Sequence, residues 1–530
     1  MRFLRALAVL SIALPIFASM TTTALTGRVV IGNAPGAGVT VRVTSAVLQG
    51  ERSTLTNARG RYWLDALPPG TYDVTFSKAG HTTLTRRAVV ELARVARADA
   101  KLEPNEDEES VTSTASTLTV AETTAITSSL TREALQRLPI ESTPAGAIAL
   151  FLPRAENASL DDAPLRDTNF GEELLDEVTI VHAGAGAEID RSRGGLIAAR
   201  TRSGSEEFSA SLRDTVANSS HFVEGTAGGR LVPEKLWFFA SAWSGDDSWR
   251  RIAEARGFFA KVSAQPAAAH HFEASHLDAN DDVTTLHYTG IFGAITSVQA
   301  LASRLESADT LSLRASNVFG SHVLSAGASR FENDDAFFVN DRWSAGHWTL
   351  SGGLRHEDGE LAPRAAVAYD LHGNGRRAFF ATWGEYQRGE YERGYERRDV
   401  ASIGFATAIG VAGSARIDAI RREELDDELR LSARYRLFDR FEAGGTFTHA
   451  EEDDAAVWIG AEFPIGEHEL GVSLLERYGS EQDLSTDLAL RYAIPFRRVR
   501  LTFASDATNV FDRDEVETPR AVRFWIRATL

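Results

Sequence analysis

Two His-x-x-Glu patterns contain residue types that could hold a catalytic metal ion. They pair His270 with Glu273 and His449 with Glu452. Zinc enzymes use such side chains as ligands, but residues three apart on a β-strand point to opposite faces, and the sequence around His270 has a strand pattern. The acidic run at 451–454 could hold a cation, with a solvated loop as the simpler interpretation. These patterns therefore predict no catalytic metal centre.

Nucleophilic and phosphate-binding chemistry also lack their usual signatures. The chain of 530 residues contains no cysteine, and it has no Gly-x-Ser-x-Gly motif. The pair Gly194-Gly195 is not followed by Lys and Ser or Thr, so it does not form a phosphate-cradling loop. The formal net charge of −18 argues against nucleic acid as a partner. The sequence thus predicts a protein that is not an enzyme and uses no cofactor.

An alternation of apolar and polar residues organises the chain from residue 207 to residue 530. In the segment 429–437, Leu429 and Leu431 lie on one face of a strand and Arg430 and Arg434 lie on the other. The same pattern recurs at 348–355, 441–448, 487–494 and 522–530. Short two-faced segments repeated many times predict a mainly β protein with a transmembrane antiparallel β-barrel.

The number of these segments and the lengths of their connections support a barrel. Roughly 22 segments follow residue 207, the strand number of large outer-membrane transporters. The pattern at 283–290 is the weakest, so about 20 strands is the alternative. Short periplasmic turns are expected at 372–375, 438–440 and 463–466, and longer external loops at 385–399, 421–427 and 507–519.

The first of these external loops mixes aromatic residues with charges of both signs. It contains Tyr391, Arg393, Tyr395 and Arg397. Such side chains could bind a ligand at the outer mouth of the barrel, because binding residues concentrate on loops. A solvated loop tip is the alternative.

The first 24 residues have the composition of a signal peptide. Arg2 and Arg5 precede an apolar run at 6–17, and small residues allow cleavage after Ala18 or Ala24. The apolar run is too short for a transmembrane helix, and no other long apolar run follows. A membrane crossing must then use strands, which only a closed barrel permits in lipid. We therefore expect the cell outer membrane as the location and its lipid as a partner.

Residues 26–104 have the pattern of a small β-sandwich. Turns at 57–60 and 67–72 separate its strands, because proline fixes φ and glycine permits positive φ. Three motifs, Gly60-Arg61-Tyr62, Leu67-Pro68-Pro69-Gly70-Thr71-Tyr72 and Lys78-Ala79-Gly80-His81, resemble those of the carboxypeptidase-regulatory-like domain. The resemblance implies a non-catalytic module, and its aromatic residues are expected to form a core.

A polar tract at 105–129 follows the sandwich. Its acidic residues, Ser and Thr cannot bury enough apolar area to fold alone, which predicts a linker. Its most β-prone part consists of Val111, Thr112, Ser113, Thr114 and Ala115. Such a segment could pair with the edge of another protein's sheet, and a plain linker is the alternative.

The segment 130–206 carries the most informative motif. A helical pattern at 131–138 ends before Pro139, and 177–181 has the pattern of a strand. The motif follows, with Glu188, Arg191, Ser192, Gly194, Gly195, Thr201, Ser203 and Gly204. It resembles the end of the plug domain of Oar-like TonB-dependent outer-membrane receptors. Glycine at 194–195 fits a close backbone approach or a positive φ.

This resemblance implies a domain order and a function. Such receptors join a regulatory-like domain, a TonB box, a plug and a barrel, which here would be 26–104, 111–115, 130–206 and 207–530. The N-terminal domain would lie in the periplasm, and the inner-membrane TonB complex would be the partner. The cargo would be an external ligand, a large or scarce nutrient that the sequence does not identify.

Two departures from the family keep a second function open. Ile189 and Asp190 stand where the family has an aromatic residue and a glycine, and the segment 139–176 is shorter than the family's plug. The alternative is a passive outer-membrane structural or adhesion protein that has lost coupling to TonB.

Overall fold

The chain folds almost entirely into β-strands. The computed structural model describes residues 23–104, 111–117, 124–140, 157–165, 170–184, 186–189, 195–217, 220–247, 252–292, 295–305, 308–331, 334–357, 359–390, 394–409, 413–423, 427–437, 440–450, 453–479, 484–511 and 521–530. Over these ranges, no helix is both long and apolar enough to span a membrane.

The N-terminal strands form the predicted small β-sandwich. They are β1 Ala24–Ile31, β2 Ala34–Pro35, β3 Thr40–Thr44, β4 Arg52–Leu55, β5 Arg61–Asp65, β6 Gly70–Ser77, β7 Leu84–Val90, β8 Val95–Arg97 and β9 Ala100–Leu102. Strand β1 pairs with β2, β5, β8 and β9 in one sheet, and β7-β6-β3-β4 is the order in the other. Tyr62, Tyr72 and Phe76 are buried in the core between them, as expected from their apolar area.

One further strand, β10 Val111–Thr117, joins the second sheet of the sandwich. It runs parallel to β7, with Val111 opposite Leu84 and Thr117 opposite Ala88. The tract predicted to be a linker therefore contains a strand. A polar segment cannot fold alone, but it can satisfy its backbone groups at the edge of an existing sheet.

The segment after it forms a small mixed sheet. Its elements are β11 Ile126–Thr131, α1 Arg132–Arg137, β12 Asn157–Leu160, β13 Ala163–Leu165, β14 Leu175–Ala183 and β15 Leu196–Thr201, in the sheet order β11-β14-β15-β12-β13. Strand β11 begins inside the predicted linker, because Ile126 and Leu130 are buried. We call β11 to β15 with α1 the plug sheet.

The remaining strands close into the predicted barrel of 22 antiparallel strands, whose last strand pairs with its first. They are β16 Ser209–Ala217, β17 Ser220–Val232, β18 Leu236–Asp247, β19 Ile252–Ala267, β20 His270–Asp278, β21 Asp282–Phe292, β22 Thr296–Leu305, β23 Ala308–Phe319, β24 His322–Phe331, β25 Asp334–Ala345, β26 Trp348–Glu357, β27 Glu360–Asp370, β28 Arg377–Glu390, β29 Gly394–Ile409, β30 Gly413–Arg422, β31 Glu428–Leu437, β32 Phe441–His449, β33 Asp453–Ile465, β34 His468–Gly479, β35 Ser485–Phe496, β36 Val499–Thr508 and β37 Ala521–Thr529. The weakly patterned segment 283–290 lies within β21, so the alternative of about 20 strands is wrong.

The two faces of each barrel strand differ as the alternation predicts. On β31, Arg430 is 1% exposed and points into the lumen, whereas Leu431 is 40% exposed on the outer wall. The plug sheet fills part of the lumen, where Leu135, Leu175 and Val178 share an apolar cluster with inward residues of the barrel. The outer face of the wall is therefore apolar, as a barrel in lipid requires, whereas the inner face carries charged residues together with the apolar residues that pack against the plug.

Several connections differ from their predicted bounds. The expected turn at 463–466 is shifted, because β33 continues to Ile465 and pairs there with His468. The expected loop at 385–399 is mostly a hairpin, since β28 and β29 remain paired up to Glu390 opposite Gly394. The short connection predicted at 372–375 lies between β27 and β28. Charged residues continue a ladder wherever a neighbouring strand satisfies their backbone groups, so the connection between β28 and β29 is shorter than the sequence pattern predicts.

Candidate functional site: the filled lumen

The structure places the predicted TonB box and the predicted ligand-loop residues in separate parts of the fold. Val111 to Ala115 lie in β10, on the sheet edge of the sandwich. Tyr395 and Arg397 lie in β29 rather than in a loop, whereas Tyr391 and Arg393 lie outside the described residues.

The predicted plug motif is divided in the same way. Arg191, Ser192 and Gly194 lie outside the described residues. Gly195 has a φ of +111°, and a Cβ there would lie 2.6 Å from the carbonyl oxygen of Val181. Only glycine fits this turn without strain, because it has no Cβ.

The other motif residues contact neighbouring parts of the fold. The Asn340 side chain of β25 donates to the Glu188 carboxylate. The backbone N–H of Thr201 donates to Asp161 Oδ1 over 3.0 Å. The Gly204 carbonyl accepts a hydrogen bond of 2.9 Å from Gln49 of the sandwich. Glu188 thus lies where the plug sheet meets the barrel, Thr201 is held within the plug sheet, and Gly204 meets the N-terminal domain.

Arginines of the barrel wall hold the plug by its backbone. Among the described residues, seven of them donate to carbonyl oxygens of residues 125–189 at 2.7–3.3 Å. The pairs are Arg355 with Ala187, Arg364 with Ile189, Arg416 with Ala125, Arg422 with His182, Arg434 with Ser129, Arg491 with Leu138 and Arg523 with Ile140. Guanidinium groups suit this role, because they keep their charge and offer several donors in a fixed geometry.

Buried ion pairs add to this hold on the opposite wall. Asp161 of the plug lies 2.9 Å from Lys261 Nζ of β19, and Arg200 of the plug lies 2.7 Å from Glu273 of β20. Burial opposes the ionisation of Asp161, but Lys261 and Arg200 keep its pKa below the ordinary value. Asp161 therefore stays ionised, and removing its carboxylate charge would leave the buried Lys261 without this partner.

A second acidic cluster of the plug has the same character. Glu172 and Glu173 face Arg213, Arg523 and Arg527 of the barrel, at 2.6–3.1 Å for the closest pairs. Burial would raise the pKa of Glu173, but the surrounding arginines lower it to about 2. The carboxylate thus stays ionised at any physiological pH.

A cavity of about 130 Å³ remains between the plug, the sandwich and strands β23 to β28. Its lining includes Trp63, Val95, Glu188, Arg342 and Arg364. Mixed charges beside an apolar wall can hold a hydrated polar solute.

The histidines of the two His-x-x-Glu patterns have other partners. His270 Nδ1 lies 2.8 Å from the Tyr288 hydroxyl, and His449 Nδ1 lies 2.5 Å from Asp453 Oδ1. In the part of the chain that the structure describes, no three His, Asp or Glu side chains are grouped so as to hold a metal ion.

The arginine contacts are functional features that sequence reasoning only half found. The alternation placed Arg355, Arg430, Arg434, Arg491 and Arg523 on the wet face of their strands. It carried no information on their partners, because the plug groups that they contact, the His182 ring for Arg430 and carbonyls for the other four, lie more than 160 residues away. The signal available in the sequence was the excess of arginine at the alternate strand positions that face the lumen.

Known proteins resemble this chain in both sequence and fold. Residues 24–103 match the family described as carboxypeptidase regulatory-like domain. The TonB-dependent transporter Oar of Myxococcus xanthus is 28% identical over 265 residues, which cover 39% of this chain and 25% of that protein. The chain thus matches about a quarter of the length of this curated relative.

Solved receptor structures share the fold. The siderophore receptor PirA from Pseudomonas aeruginosa superposes with a TM-score of 0.61 at 12% identity, covering 76% of this chain and 99% of that one. FpvA of the same species gives 0.63 at 11% identity over 78% and 87% of the two chains. The alcaligin receptor FauA from Bordetella pertussis gives 0.54 at 14%, over 78% and 97%. At such low identities the structural matches show the fold alone. Together with the similarity to Oar and the regulatory-like N-terminal domain, they show that the chain resembles an Oar-like TonB-dependent receptor.

Proposed function

We propose that this chain, as an Oar-like TonB-dependent receptor, binds an external ligand at the outer membrane and admits it through the barrel. The observation that carries this proposal is a closed barrel of 22 strands whose lumen is filled by a plug sheet. A structural protein needs no displaceable plug in its lumen, whereas a receptor must keep its lumen blocked until a ligand binds. The N-terminal domain lies in the periplasm in this proposal.

The attachment of the plug supports a removable element. Its contacts to the barrel include the seven arginine hydrogen bonds to plug carbonyls and several buried ion pairs, beside the apolar cluster that it shares with the wall. Such contacts can exchange for water one at a time, and each hydrogen bond from a charged guanidinium group contributes a net of about 1.5–3 kcal/mol. A pull on the plug could break these polar contacts in sequence, and the apolar cluster that Leu135, Leu175 and Val178 share with the barrel would open with them.

The coupling element is β10, which contains Val111 to Ala115. Its strand conformation supports its use by a partner, since an extended segment can add to another protein's sheet through main-chain hydrogen bonds. We propose that the periplasmic domain of TonB pairs with β10 and that the proton gradient of the inner membrane drives the pull. The chain itself then performs no chemical step.

A passive outer-membrane protein is the second candidate. The pairing of β10 with β7 favours it, because a strand already engaged within the chain is not free for a partner. The two candidates differ in whether TonB recognises the chain at all.

Binding of the purified TonB periplasmic domain to the full chain in lipid nanodiscs separates the candidates. We expect saturable binding by the wild type and a loss of at least about tenfold in affinity for Ser113→Pro, because proline offers no N–H to a pairing strand. Ser113→Ala keeps the N–H and is the matched control. Equal binding by the proline variant would exclude β10 as the contact, and no binding by any form would favour the passive protein.

A further inference from the structure

The N-terminal sandwich sits in one mouth of the barrel. Asn57 Nδ2 donates to the Gly320 carbonyl over 3.0 Å, in the turn between β23 and β24. Gln265 of β19 donates to the Glu51 carbonyl over 2.9 Å. This is the end where short turns connect β23 to β24, β25 to β26 and β27 to β28, which is the end predicted to face the periplasm.

Residues of β5 enter the lumen beyond these turns. Asp65 is 3% exposed, and its Oδ2 lies 3.3 Å from Ser297 Oγ and 3.6 Å from Arg314 Nη2 of the barrel wall. Trp63 packs in one apolar cluster with the inward residues Val318 and Val323. The domain is thus fitted into the mouth by a buried charge and an aromatic anchor.

The turn at 91–94, between β7 and β8, reaches further and meets the plug sheet. The backbone N–H of Leu92 donates to Glu177 Oε1 of β14 over 3.0 Å. Leu92 and Ala93 share an apolar cluster with Ile126 and Val181 of the plug. The sandwich therefore touches the plug from below and closes the space beside it.

The strand proposed to meet TonB belongs to the same sheet as this turn. Strand β10 runs parallel to β7, and β7 leads directly into the inserted turn at 91–94. The parallel order means that both strands run in the same direction along the mouth. A displacement of β10 would therefore act directly on β7, to which it is hydrogen-bonded, and on the turn at 91–94.

We propose that the N-terminal domain is a second stopper of the barrel, which closes the periplasmic mouth beneath the plug and is released when a partner strand engages β10. The release step rests on the proposed function, whereas the closing of the mouth does not. The carboxypeptidase-regulatory-like module then has a mechanical role in this chain, because its fold supplies both the inserted turn and the edge that holds β10.

Ion conductance across a planar lipid bilayer tests the stopper without TonB. The double variant Trp63→Ala/Asp65→Arg removes the anchor and sets a positive charge against Arg314, so we expect open events about tenfold more frequent than in the wild type. Asp73→Arg is the matched control, because Asp73 lies on the exposed side of the sandwich beside Arg87. A folded double variant with wild-type current overturns the proposal.

A pair of cysteines provides a second test in the same assay, since the natural chain has none. In Asp65→Cys/Ser297→Cys, oxidation should fasten the domain to the wall and keep the barrel closed, and reduction should raise the open events. In Thr75→Cys/Thr85→Cys both positions lie inside the sandwich, where their hydroxyls are 3.1 Å apart. The current of this control should not respond to reduction. If the current of Asp65→Cys/Ser297→Cys also fails to respond, the proposal that the N-terminal domain closes the mouth is overturned.

Amide exchange with and without the TonB periplasmic domain tests the release. We expect faster exchange at 57–65 and 91–94 when TonB is bound, and no such change in Ser113→Pro. Binding without faster exchange overturns the release step while leaving the proposed function intact. An absence of binding contradicts the proposed function instead, and the conductance results then stand by themselves.

Discussion

The buried carboxyl of Glu177 should make the plug less stable as the pH rises. It lies in β14 at 2% exposure, and it accepts hydrogen bonds of 3.0 Å from the Leu92 N–H and the Thr179 hydroxyl. Burial and then the neighbouring carboxylate of Glu91 raise its pKa to about 8, against the weaker opposing effect of Arg434. The side chain is therefore protonated in the folded protein at pH 7.

The sign and size of the effect follow from proton linkage. An unfolded chain releases this proton near the ordinary pKa of 4.5, whereas the folded chain keeps it up to about 8. The favourable contribution is thus complete below pH 4.5 and is lost as the pH rises to 8. At roughly 1.4 kcal/mol per pH unit, the loss amounts to about 3 kcal/mol at pH 7.

Glu177→Gln tests this reasoning directly. Glutamine keeps the accepting oxygen but carries no titratable proton, so the variant should resist opening better than the wild type by about 3 kcal/mol at pH 7 and equally well at pH 4. Opening free energies of residues 175–183 from amide exchange at several pH values measure the difference.

The control is Glu133→Gln, because Glu133 is an exposed carboxylate of α1 and should leave the pH slope unchanged. If Glu177→Gln kept the wild-type slope between pH 4.5 and 8, the carboxyl of Glu177 would not be the group responsible, and the reasoning would be refuted.

Three further substitutions probe the contacts that position the plug and the wall. Asp161→Asn leaves Lys261 buried without its charge partner and should cost the plug about 3–5 kcal/mol, measured by amide exchange at 157–165. Leu431→Arg places a charge on the outer wall and should cost about 2–4 kcal/mol in urea titrations of folding into lipid vesicles; a cost below 1 kcal/mol would contradict a lipid-facing position. Gly195→Ala should cost about 1–3 kcal/mol and exceed the cost of Gly346→Ala, which meets no neighbouring atom; equal costs would show that the close approach to the plug backbone does not matter.

The sequence by itself determined which residues of each barrel strand face outward and which face the lumen, and it determined the class of the fold. Leu431 outside and Arg430 inside follow from a period of two, which is a local property of the extended chain and can be read without any partner. The turns of the sandwich and the need for glycine at 195 could also be predicted from the sequence, because these residues act through their own backbone angles.

Only the tertiary structure decided which partners the β-prone segment around Val111 and the lumen arginines contact. The sequence around Val111 is β-prone and could pair with any free edge, so its place beside β7 depends on which edge the fold brings near. The same holds for Arg355, whose position on the lumen face follows from the alternation but whose partner, the carbonyl of Ala187, lies in a distant segment. Strand pairing and ion pairing join residues that are far apart along the chain, and only the closed barrel fixes which of them come together.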